Sequence, residues 1–185
     1  MTSPGLSAPD LSRRTIALVG LMGVGKTSVG RRLAKTLGLP FYDADEEIER
    51  AAQRTVSEIF ADLGEAQFRD GEHRVIARLL SGPPHVLATG GGAFLNDKTR
   101  ALMKERAVTV WLKTDLEVLA QRVARRDTRP LLRGKDPMEV LRVQAEARYP
   151  LYAEADVMVD CGDGSHQMAV TATLEALEAR LGSGA

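Results

Sequence analysis

The chain has 185 residues, 44% of them hydrophobic and 27% charged, with 25 basic and 25 acidic side chains and one cysteine. This is enough for one domain with a real core. The balanced charge supplies no global field for nucleic acid or an anionic membrane. The single Cys161 excludes an internal disulfide framework and fits a reducing, cytoplasmic setting, and no apolar stretch approaches a membrane span. Residues 1–13 are rich in Ser, Pro and Gly but lack the apolar core of a signal peptide, and read as a flexible tail; residues 14–185 read as one domain.

The apolar run 16–19 predicts a buried strand. Gly20, Gly25, Lys26 and Thr27 then fill the spacing G-x-x-x-x-G-K-[ST], and a helix follows with Val29, Leu33, Ala34 and Leu37 on one face. Strand, glycine loop and helix stand in the order that a phosphate-binding loop needs. Glycines let backbone N–H groups converge on phosphate oxygens, and the helix N-terminus adds partial positive charge. Lys26 suits the β- and γ-phosphates, and the Thr27 hydroxyl suits Mg²⁺.

Residues 39–42 predict a second strand, ending in Asp43-Ala44-Asp45. In an extended segment these two carboxylates point the same way, at the strand edge where open α/β sheets hold ligands; either could equally cap the next helix, 46–52. Thr55 and Glu58 have capping-box spacing for a short helix through Phe60 and Leu63, which Gly64 ends. A longer helix over 65–80 brings Arg69 and Glu72 onto one face, where a solvated ion pair is the plainer reading.

Gly82-Pro83-Pro84 breaks the chain before a strand at 85–88. Gly90-Gly91-Gly92 follows it directly, and close approach of backbone to a ligand explains three glycines there better than a linker does. A helix at 97–105, a strand at 108–112 and a helix opened by a Thr114–Glu117 capping box come next. From Arg122 to Lys135 six of fourteen residues are basic, with Pro130 and Gly134 among them; this is either a solvated loop or a lid carrying cations onto a nucleotide. Pro137 starts a helix to about Tyr149, which Arg148 closes. A last strand at 157–159, a turn, and a helix at 165–181 complete five strands alternating with helices, a pattern that argues a parallel sheet covered on both faces.

In order, residues 20–27, Asp43-Ala-Asp45, Phe68-Arg69, Gly90-Gly91-Gly92, Arg129-Pro130-Leu-Leu and Arg148-Tyr-Pro-Leu-Tyr152 resemble the shikimate kinase family. The resemblance runs over nearly all of the chain. It implies a three-layer α/β/α fold with a five-stranded parallel sheet in the order 2-3-1-4-5 and a lid at about 122–135. It implies transfer of the ATP γ-phosphate to the 3-hydroxyl of shikimate, on the route to chorismate and the aromatic amino acids. By that resemblance Gly23, Val24, Gly25, Lys26, Thr27 and Ser28 hold ATP, Thr27 and Asp43 serve Mg²⁺, Arg122 packs against adenine, and Arg129 reaches the transferring phosphate from the lid. Asp45 binds the acceptor hydroxyls and acts as base, with Lys26 and Arg129 as its catalytic partners. Arg69 and Arg148 clamp the substrate carboxylate with the N–H groups of Gly91 and Gly92, and Phe60, Phe68 and Glu72 line that pocket. The expected partner is the small-molecule substrate alone, without nucleic acid or membrane, and the expected state is a monomer.

The turn 160–167 departs from the family by lacking the arginine and proline found there in some members, so no adenine contact is assigned to it. Three other readings are open: another small-molecule kinase of this fold such as gluconate kinase, a non-catalytic binding module, and a GTPase. The last is weak, because Leu112-Lys113-Thr114-Asp115 lacks the asparagine of the guanine signature and no Asp-x-x-Gly switch is present.

Overall fold

The structure, a computed structural model, describes residues 11–125 and 134–182. The element order is β1 (Ile16–Val19), α1 (Lys26–Leu37), β2 (Phe41–Asp43), α2 (Ala44–Ala52), α3 (Val56–Leu80), β3 (Val86–Ala88), a 3₁₀ turn (Ala93–Leu95), α4 (Asp97–Arg106), β4 (Val108–Lys113), α5 (Leu116–Ala124), α6 (Pro137–Tyr152), β5 (Val157–Asp160) and α7 (His166–Gly182). The five strands form one all-parallel sheet in the order β2-β3-β1-β4-β5, as expected. Helices cover both sides. Helix α1 packs on α7, while α3 packs on α4 and α5 on α6.

The central strands are apolar throughout because both of their faces are covered. Every residue of β1 and β3 is buried, and Ile16 stands in register between Val86 and Val108. From β1 the chain turns to β2 on one side of the sheet, and from β3 it crosses to β4 on the other. The connections therefore diverge at the β1–β3 crevice. Ligands of open α/β sheets sit outside the carboxyl ends of the strands at such a switch point. Here those ends are Gly20, Asp43 and Thr89.

Several local outcomes differ from the sequence-based expectation. Leu11, grouped by composition with the tail, is only 1% exposed and belongs to the main core. At Gly64 the expected break does occur: its φ of 79° and ψ of 173° are non-helical and open almost only to glycine, so residues 56–80 hold two helices that meet at a kink. The Thr55–Glu58 capping box is present in both directions. Thr114, by contrast, caps nothing: its hydroxyl donates to the Gly162 carbonyl, and Asp115 precedes α5 without a side-chain cap bond. Tying β4 to the turn after β5 takes the hydroxyl away from the helix. Helix α6 continues past Arg148 to Tyr152 despite Pro150. The burial of Tyr152 beside Trp111 and Tyr149 outweighs the backbone bond that Pro150 cannot make.

His85, 1% exposed, donates its Nδ1–H to the Pro83 carbonyl at 2.9 Å, and its Nε2 has no partner. Burial pushes its pKa below the usual 6.5, against the pull of the Pro83 bond. A depressed native pKa means that the unfolded chain takes up the proton first. The contribution is complete above about pH 6.5 and is lost as the pH falls through the native value. Thermal unfolding across pH 5–7 should show the melting temperature of wild type falling with pH, and His85→Gln should flatten that slope. An unchanged slope in the variant would remove His85 as its source.

Candidate functional site

The loop from Gly20 to Gly25 is held from below by Val24, which is buried in the core and whose N–H bonds the Leu21 carbonyl. Gly25, at φ 99°, precedes α1 without any side-chain cap, so the first N–H groups of the helix are left for an anion. Lys26 Nζ donates to the carbonyls of Gly20 at 2.7 Å and Leu21 at 3.0 Å, which folds the ammonium over the loop. Thr27 Oγ1 donates to Asp43 Oδ2 at 2.7 Å. The other oxygen of Asp43 accepts the N–H of Asp45 at 3.0 Å and of Glu46 at 3.4 Å, capping α2. Capping and site roles thus fall on the same residue.

Because Asp43 caps, α2 starts at Ala44 and Asp45 lies in its first turn. The two carboxylates share the cleft, but not by the extended i, i+2 geometry that the sequence suggests. Burial, and next the charge of Asp43, raise the Asp45 pKa above its ordinary value, while Lys26 and Arg69 oppose the rise.

Across the cleft, Arg69 Nη1 donates to Glu72 Oε2 at 2.7 Å. Glu72 is 1% exposed, so this is not the solvated pair that the spacing alone favours. The guanidinium stacks 5.2 Å from the Phe68 ring and 6.0 Å from that of Phe60, and these rings lie 4.4 Å apart. Glu72 Oε1 has no partner, and burial raises the pKa of this carboxyl against the pull of Arg69.

The triple glycine joins the two halves. A Cβ on Gly90 would stand 3.0 Å from Asp45 Oδ1 and 3.1 Å from Glu72 Oε1, one on Gly91 would stand 3.0 Å from Arg148 Nη1, and one on Gly92 would run into the Arg69 guanidinium. Only a backbone without side chains admits these four charged groups together. Arg148 Nη1 and the Tyr152 hydroxyl both donate to the Gly91 carbonyl, the former at 3.2 Å.

A cleft of about 370 Å³ results. It is lined by Gly23, Gly25, Lys26, Thr27, Ser28, Asp43, Asp45, Gly90, Gly91 and Arg122, all expected, by Arg125, which the sequence left open between lid cation and surface charge, and by Met22, Thr89 and His166, which were not expected. Phe60, Phe68, Arg69, Glu72, Gly92 and Arg148 gather on one side of it, around the triple glycine. Arg129 lies outside the described residues. Tyr152 went unassigned although it is four residues after Arg148 and so shares its helix face; ending the helix at Tyr149 hid that relation. His166 had no signal beyond opening α7.

A second cavity, about 420 Å³, opens at the other end of the strands around Thr15 and Val108. Of its five cations, Lys104, Arg106 and Arg180 stand in the last turns of α4 and α7, where they offset helix dipoles, and Arg13 and Arg14 precede β1.

A phosphate loop on a 2-3-1-4-5 parallel sheet, facing a small pocket with paired arginines, defines a kinase of small molecules. The sequence pattern of the shikimate kinase family matches residues 22–178. The shikimate kinase of Caulobacter vibrioides is 69% identical over 167 residues, 90% of this chain and 84% of that protein. The crystallised shikimate kinase of Acinetobacter baumannii in complex with shikimate superposes with a TM-score of 0.85 at 39% identity, over 95% of this chain and 98% of that one. A gluconokinase from Sinorhizobium meliloti reaches a TM-score of 0.63 at 21% identity over 94% and 95%, a likeness of fold alone. The chain belongs to the shikimate kinase family, ATP-dependent kinases that phosphorylate shikimate.

Proposed function

We propose that the cleft transfers the ATP γ-phosphate to the 3-hydroxyl of shikimate, with the phosphates over Lys26 and the acceptor between Asp45 and the two arginines. The observation that carries this is the meeting of the phosphate loop and the Arg69–Arg148 pocket along Gly91 and Gly92, with Asp45 against the adjoining Gly90. The uncapped start of α1 and the curled Lys26 fit a polyphosphate, and a hydroxyl and a carboxylate 2.7 Å apart fit a hard cation that keeps most of its waters. ATP supplies the phosphoryl group, and Mg²⁺ neutralises charge on its oxygens.

Lys26 exchanges the Gly20 and Leu21 carbonyls for phosphate oxygens. Thr27 and Asp43 would hold the ion, with Asp43 still anchored by its cap bonds. Asp45 accepts the hydrogen bond of the acceptor hydroxyl and takes its proton as the new O–P bond forms and the bond from the γ-phosphorus to the bridging oxygen breaks, that oxygen leaving with ADP. Arg69, steadied by Glu72 and two phenyl faces, and Arg148 present planar forks to the substrate carboxylate. Positioning of this kind is most of what phosphoryl transfer asks of a protein. One free cysteine, and the absence of any helix long and apolar enough to cross a membrane among the described residues, agree with work in the cytoplasm.

Coupled ADP release with ATP, Mg²⁺ and shikimate is the direct test; turnover with gluconate but not shikimate would reverse the substrate assignment. Arg69→Lys and Arg148→Lys should each raise the KM for shikimate about thirtyfold, equivalent to about 2 kcal/mol for a lost bidentate charge-assisted contact, and leave the KM for ATP nearly unchanged. A shift in the ATP constant alone would end the carboxylate-clamp role.

A further inference from the structure

The peptide unit between Gly91 and Gly92 is trans and planar, so the Gly91 carbonyl and the Gly92 N–H point in opposite directions. With no Cβ on either side, rotation of that unit meets little steric resistance. Something else must hold it. Among the described residues, the N–H groups of Gly91 and Gly92 have no hydrogen-bond partner. The Gly91 carbonyl has two, the Tyr152 hydroxyl and Arg148 Nη1, one for each lone pair. These two donors stand four residues apart on one face of α6.

We propose that Tyr152 is a positioning residue of the acceptor site: by holding the Gly91 carbonyl it aims the Gly92 N–H at the substrate carboxylate. The proposal rests on the reading of Gly91 and Gly92 as donors to that carboxylate. Arg148 has a second duty there, because its guanidinium also meets the bound carboxylate. Tyr152 has a single proton to donate, and the Gly91 carbonyl receives it. Its ring is 1% exposed and is packed 5.9 Å from Trp111 and 6.5 Å from Tyr149, so the hydroxyl cannot swing away. Burial pushes the phenol up to about 12, which keeps it a donor across the working pH range. Tyr149 belongs to the same aromatic group but makes no hydrogen bond to Gly91, and so provides an internal control.

The test is the Tyr152→Phe variant, which keeps the ring and removes the donor. The KM for shikimate should rise about tenfold, as one lost hydrogen bond predicts, with the KM for ATP and the melting temperature near wild type. Comparison with an acceptor analogue whose carboxylate is reduced to an alcohol separates aim from packing: the wild-type preference for shikimate over this analogue should shrink about as much in Tyr152→Phe and stay unchanged in Tyr149→Phe. Equal losses toward both acceptors, or an unchanged KM for shikimate, would overturn the proposal. If Arg69→Lys and Arg148→Lys also leave that KM unchanged, the carboxylate reading itself fails; if they raise it and Tyr152→Phe does not, the error is in the role of Tyr152 alone.

Discussion

Lys26→Ala is expected to lower kcat by about 10³-fold or more while the protein stays folded. In the unliganded loop Lys26 Nζ donates to the backbone of its own loop at Gly20 and Leu21, and it is half-buried. Its removal leaves two carbonyls that water can reach, a minor change to a core built from β1, Val24 and α1. The catalytic loss is large because a charge aimed at the transferring phosphate acts on the transition state in a water-poor cleft, where removal of even one preorganised donor costs about 10²–10³ in rate. Coupled ADP release measures the loss, and circular dichroism melting checks the fold. A folded Lys26→Ala protein with normal turnover would end the assignment of residues 20–27 as the phosphate loop.

Asp45→Asn should lower kcat at least about a hundredfold, the lower range for a positioned base, because the loose transition state leaves little proton-transfer work. The fold should survive, since α2 is capped by Asp43 and not by Asp45. ATP affinity should hold, and shikimate binding should weaken. The pH profile adds a second signature. Burial and the neighbouring Asp43 charge lift the Asp45 carboxyl above 3.8. A base must be ionised, so kcat/KM of the wild type should fall as the pH drops through that raised value, and the variant should lose this acidic limb. Near-normal kcat with altered Mg²⁺ dependence would show that Asp43 and Asp45 have been assigned each other's roles.

Much of the site was legible because phosphate binding is local chemistry. The loop, its Lys26 and Thr27, and the buried strand before it lie within one short stretch, so spacing alone specifies them. The arginines were legible only through the family pattern. Nothing near Arg69 in the sequence says that Glu72 is buried, because the i, i+3 spacing is the same for a solvated pair; burial comes from the glycines of residues 90–92 and from Phe68. Thr114 misled for a related reason. A capping-box spacing offers the hydroxyl a local partner, but the turn after β5, distant in sequence, offered Gly162 instead. Tyr152 stayed hidden because Pro150 suggests that the helix has ended, while aromatic packing carries it on.

The sequence by itself determined the alternation of strands and helices, the phosphate loop and the residue types that the chemistry uses, because periodicity, glycine placement and side-chain charge act over a few residues. Tertiary structure alone decided which charges meet. Asp45, Glu72, Arg69 and Arg148 come from α2, α3 and α6, and converge only because the parallel sheet brings the ends of β1, β2 and β3 together around a backbone with no Cβ to separate them. Burial is a property of that assembly. It turns an ordinary i, i+3 ion pair into a fixed fork, and an ordinary aspartate into a carboxyl with a raised pKa.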